Sequence, residues 1–263
     1  MLKINKKNYL DTERNLLLKK EEKFIAQKSD IKPSALQKKL EDVVPDGLQE
    51  TLNKAFRKAF QIIFDKGTPW IEKTYAKEDK QIQYAVNDYA AKMQYNKKTA
   101  KAFSKEAKNA SQKNLLLSGL EGVGLGALGI GIPDIPLFVA MIFKSIYEIA
   151  ISYGFSYEEE REQIFILKMI ETSMQYGNAF QEHNAAINRW IERDQPFSEN
   201  KEEMIAAAAD ALSKELLYFK FLQGIPVVGM VGGISDTVYL KKITDYAHLK
   251  YKRRFLKKNI GTV

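Results

Sequence analysis

Between Gly119 and Phe138 the chain reads GLEGVGLGALGIGIPDIPLF, six glycines within a protein otherwise crowded with lysine and glutamate. A phosphate-cradling loop, a membrane span and a close-packed helical hairpin are the three structures such a segment can build. Gly124, Gly126 and Gly129 spell G-x-G-x-x-G. A dinucleotide site needs that pattern between a strand and a helix, with an acid about 20 residues on. Here a lysine-rich helical stretch precedes it and Pro133 follows within four residues of Gly129. No G-x-x-x-x-G-K-[ST] pattern occurs in the chain. The phosphate-loop reading fails.

Gly122 to Phe143 is 22 residues with one charge, near the ~20 that cross a bilayer. Pro133, Asp134 and Pro136 fall at its centre. An acid there costs about 2.5–3.5 kcal/mol on insertion, and the prolines break the helix. Packing suits the segment better. Ser118, Gly122 and Gly126 recur every fourth residue, a small-residue face that lets a neighbouring helix come close. Pro133 and Pro136 then turn the chain, and Asp134 is placed to cap the helix that follows. Gly229 and Gly233 repeat the spacing after Ile225-Pro226. Two apolar Gly/Pro hairpins are expected.

The remaining segments read as helix. Leu48, Leu52, Phe56, Phe60 and Ile63 form one apolar stripe, ended by Gly67, Thr68 and Pro69. A polar helix is expected over about 79–95, followed by the basic KKTAKAFSKEAKNASQKN. An apolar helix follows the glycine run and stops at Gly154. Ser156 to Glu159 form a capping-box pattern for the next helix, to about Tyr176. No alternating strand series recurs. The expected fold is all-α, a single compact helical domain of ordinary size for 263 residues, with a basic C-terminal helix.

Without cysteine there are no disulfides or thiolate metal sites, and two histidines, His183 and His248, leave little for metal or triad chemistry. No signal-like apolar core opens the sequence, so a cytoplasmic location is expected. The net charge of +8 is uneven: +6 over residues 1–40, −7 over 155–215 and +7 over 241–258. Basic ends around an acidic middle suit an anionic partner, lipid or nucleic acid, or else the opposite charges face each other.

The glycine run with its Pro-Asp-x-Pro turn at 133–136, the helix ending IYEIAISYGF, and the late QGIPVVGMVGG before a basic helix together resemble the EcsC family of bacterial proteins. The resemblance spans about 45–258, with 1–40 read as a variable charged helical extension and 259–263 as a tail. Pro133 stands where family members more often carry alanine, which stiffens the turn. The resemblance implies a cytoplasmic helical protein linked to membrane transport, beside an ABC transporter, with no cofactor, metal or catalytic residues to carry over.

Three buried-region residues are candidate ligand or pocket groups: Asp134, Glu148 and Tyr153. Asp134 and Glu148 are the acids of the most apolar stretch, where desolvation raises carboxyl pKa values. The plainer reading has Asp134 capping a helix and Glu148 pairing with Lys144 one turn earlier. His183 and His248 read as structural. The last helix carries Tyr239, Ile243, Ala247, Tyr251 and Phe255 on one stripe. Lys241, Lys242, Lys250, Lys252, Arg253, Arg254, Lys257 and Lys258 occupy the rest, as contacts for an anionic membrane surface. The expectation is a non-catalytic accessory protein held peripherally on a membrane by anionic lipid or a membrane protein. A hydrolase or lipid-handling enzyme around Asp134 and Glu148 is the alternative, and nucleic-acid binding the third.

Overall fold

A computed structural model describes residues 2–29, 46–118, 134–222 and 234–260. Among them there is no strand, and the fold is all-α. The helices are α1 (Leu2–Ser29), α2 (Asp46–Ile62), α3 (Thr68–Glu72), α4 (Lys77–Met93), α5 (Lys97–Ser118), α6 (Asp134–Ser152), α7 (Glu160–Met174), α8 (Gly177–Arg193), α9 (Lys201–Leu222) and α10 (Ile234–Ile260). Gly122, Gly126, Gly229 and Gly233 lie outside the described residues, as do the side chains of Ser118 and Asp134.

Local chemistry sets the helix ends. At the end of α6 the Phe155 N–H donates to Ala150 O (3.0 Å) and the Gly154 N–H to Ile151 O (2.8 Å), a Schellman closure. Gly154 takes φ +75° there, and a Cβ on it would lie 2.2 Å from the Tyr84 ring. Ser156 does not cap α7; its Oγ accepts from the Glu158 N–H (3.3 Å) and the helix starts at Glu160. A reciprocal capping box forms instead at α9, where the Asn200 N–H donates to Glu203 and the Glu203 N–H to Asn200, each at 2.9 Å. Gly67-Thr68-Pro69 does not end its helix either. The chain passes through a π turn over Ile63–Gly67 and continues as α3, with Pro69 in the first turn where no backbone donor is needed.

Two helices form the centre. Around α6 lie α2, α3, α4, α5 and α10. Its Phe143 meets Phe60, Phe64 and Tyr147 edge to face, with centroids 5.0–5.8 Å apart. The stretch Ile135–Ser152 has a mean hydropathy of 1.6, enough to cross a membrane by length and composition, yet 83% of it is buried in protein. Around α10 lie α1, α5, α6, α7 and α8. Tyr239, Ile243, Ala247, Tyr251 and Phe255 are all buried, as the stripe requires.

The N-terminal helix packs against α10, α8 and α5. Leu10 and Leu17 enter the core, and Phe24 stacks on Tyr246 at 5.7 Å. Opposite charges on α1 and α10 make the junction.

Candidate functional site

The basic residues of α10 turn inward. Arg254 makes a bidentate pair with Glu162 of α7 (2.6 and 2.9 Å), and the same carboxylate accepts from the Tyr251 hydroxyl at 2.6 Å. The guanidinium lies 4.2–4.6 Å from the Phe155, Phe165 and Trp190 ring centres. Lys250, 1% exposed, meets Glu21 of α1 at 2.9 Å and Asn188 at 2.8 Å. Burial pulls its ammonium pKa down to about 8, against the pull of Glu21. Lys252 pairs with Glu13 (2.7 Å), Arg253 with Glu21 and Glu192 (2.6 and 2.7 Å), and Lys242 with Glu215 (2.7 Å). Lys257 donates to the Ile191 carbonyl, and Lys241 pairs with Asp245. Lys258 is exposed, 5.9 Å from the Phe155 ring centre. This corrects the expected anionic-surface face. Acids from α1, α7, α8 and α9 occupy most of these cations, because burying a charge unpaired would cost several kcal/mol.

Glu148 and Tyr153 do not converge on one site. Glu148 is paired with Lys80 of α4 at 3.3 Å, not with Lys144. Tyr153 is 1% exposed; its hydroxyl donates to Ser104 Oγ (3.3 Å) and lies 3.3 Å from His248 Nε2. Burial pushes the Tyr153 phenol well above its usual range. It pulls His248 down to about 3, with Lys252, Lys108 and Lys20 adding to the effect. Both groups are neutral at pH 7.

His183 has a partner that spacing did not reveal. Its Nδ1 lies 3.2 Å from Oε1 of buried Glu171, whose Oε2 is 2.9 Å from Lys168. Burial would raise the Glu171 carboxyl, but His183 and Lys168 outweigh it and hold it below its usual range. The imidazole and Lys168 line a cleft of about 280 Å³ with Arg189 and Ser198. The contacts cross from α7 to α8, which is why neither helix alone signals them.

The most unusual outward feature is on α4. Ile82, Val86, Tyr89 and Met93 are 56–66% exposed and recur at four-, three- and four-residue steps, one face of a helix. Beside it α5 presents Lys97, Lys98, Lys101, Lys105 and Lys108 to solvent. Among the described residues no ion pair engages these five. The two together make an exposed apolar patch bordered by unpaired cations, the kind of surface that marks an interaction site.

No solved structure matches the chain. It is 27% identical over 173 residues to Protein EcsC of Bacillus subtilis (strain 168), covering 63% of this chain and 71% of that protein. The model of the EcsC protein family matches residues 12–256, which takes in the greater part of α1 as well as the central helices. The chain belongs to the EcsC protein family.

Proposed function

We propose that this protein is a non-catalytic accessory protein held peripherally on the cytoplasmic face of a membrane. It would serve a transport system of the ABC type, as the family resemblance implies. The observation that carries the reading is the exposed Ile82–Val86–Tyr89–Met93 stripe of α4, packed beside the lysines of α5. Burying one such side chain in the acyl boundary contributes roughly 1.5–3 kcal/mol at most. Each lysine near an anionic surface adds about 1 kcal/mol. The occupant is anionic lipid, chosen by charge complementarity with α5.

Co-sedimentation with anionic and neutral vesicles at low and high salt tests this. Anionic vesicles are expected to bind the protein and to release part of it as salt rises. The Val86→Ser/Tyr89→Ser variant, changed only at exposed positions, is expected to lose binding while melting like the parent. Failure of the parent to bind either vesicle, or full binding by the variant, would overturn the reading.

A further inference from the structure

At the junction of α1, α5 and α10 lysines gather around one hydrogen-bonded chain. Ser104 stands on α5 between Lys101 and Lys108, one turn from each. It accepts from the Tyr153 hydroxyl, which in turn lies 3.3–3.5 Å from the ring nitrogens of His248. Lys252 follows His248 by one turn of α10, and α1 brings Lys20 to the same place. The other three act on Lys20, whose ammonium is pulled down first by burial and then by Lys252, Lys108 and Lys101. Glu13 answers them, but it is already engaged by Lys252 at 2.7 Å. Among the described residues Lys20, Lys101 and Lys108 enter no ion pair.

Like charges so gathered repel one another, and a bound anion would relieve the repulsion. The hydrogen-bond chain fits the same need. A neutral His248 N–H can donate to Tyr153 Oη, and Tyr153 donates to Ser104 Oγ. The Ser104 hydroxyl, one turn from Lys101 and from Lys108, then keeps its own proton to donate. Charge on several lysines together with a hydroxyl donor is the chemistry that recognises a phosphate group.

We propose that this junction binds a phosphate group, free or as a lipid headgroup, through Lys20, Lys101, Lys108, Lys252 and Ser104. The site is separate from the α4 stripe and stands whether or not that stripe meets a membrane.

The test follows the ring resonances of the two histidines in the full-length protein during titration with inorganic phosphate, at ionic strength fixed with chloride. His248 is expected to shift saturably while His183 stays in place. The Lys101→Gln/Lys108→Gln variant, altered at exposed positions, is expected to bind about tenfold or more weakly, with unchanged melting. Phosphatidic acid vesicles distinguish the source. If they move His248 where free phosphate does not, the ligand is a headgroup. If free phosphate suffices, and still binds the Val86→Ser/Tyr89→Ser variant, the site is independent of membrane attachment. An unmoved His248 in both arms, or an equal response in the lysine variant, would overturn the proposal.

Discussion

Helices α5 and α10 carry the same kind of charge and put it to opposite uses. Both are long, lysine-rich and amphipathic, and both pack on the α6 core. On α10 the cations meet carboxylates from α1, α7, α8 and α9, and Lys250 is buried completely enough to lose much of its basicity. On α5 five lysines face solvent with no ion pair among the described residues. Lysine density therefore does not locate a binding surface. What separates the two helices is whether acids distant in sequence are brought against them.

The largest expected consequence concerns α10. Glu162→Ala removes the carboxylate that pairs with Arg254 and the acceptor of Tyr251 at once. Urea unfolding is expected to show a loss of about 3 kcal/mol, since a largely covered guanidinium is left without its partner. A loss under 1 kcal/mol (about a tenth of ordinary stability) would mean that α10 is held by its apolar stripe alone.

A second test uses pH. Folded Lys250 and Lys28 release their protons near 8, whereas the unfolded chain keeps them to about 10.5. The unfolded state binds more protons on these two groups across that window, so their contribution to stability is expected to rise with pH from about 8 to 9, before the buried tyrosines begin to oppose it. Lys250→Met should flatten the rise in denaturation midpoints, and a profile identical to the parent's would remove Lys250 from the account.

A smaller effect is expected on the acid side. His248 stays neutral in the fold down to about 3 but takes a proton near 6.5 when unfolded. Its contribution is present above pH 6.5 and is lost as pH falls toward 3. His248→Gln should shallow the decline between about 6.5 and 4.5; an unchanged slope there would place the acid sensitivity elsewhere.

The smallest effect is the counterpart on α5. Lys97→Gln, Lys98→Gln and Lys105→Gln together are expected to change stability by no more than about 0.5 kcal/mol. A loss approaching that of Glu162→Ala would erase the distinction between the two helices.

Helix type was legible wherever periodicity was strong. The α2 stripe, the apolar run of α6 and the tyrosine stripe of α10 are read directly from spacing and land in the core. Gly154 announces its helix end because a left-handed φ favours glycine. The partners were not legible. Glu148 has Lys144 one turn away but takes Lys80, and His183 takes Glu171 from another helix. Ion pairing is a tertiary choice: a cation reaches any acid that the fold delivers, and sequence proximity adds only a few tenths of a kcal/mol. The α4 stripe is hard to see in the sequence because Gln83, Asn87 and Asp88 between its apolar residues give the segment a polar average.

The ion pairs between α1 and α10 also bear on the order of assembly. Glu13 and Glu21 meet Lys250, Lys252 and Arg253 across separations of 229 to 239 residues. At about 5–20 residues per second, a ribosome makes the acids roughly 10–50 s before their partners. Through that interval Glu13 and Glu21 lack their α10 partners and Phe24 lacks the Tyr246 ring it stacks on, which should keep the apolar side of α1 from settling early. Nascent chains halted before residue 234 are expected to lose α1 to protease, while full-length chains keep it. Helix α10 would then act as the latch that secures α1.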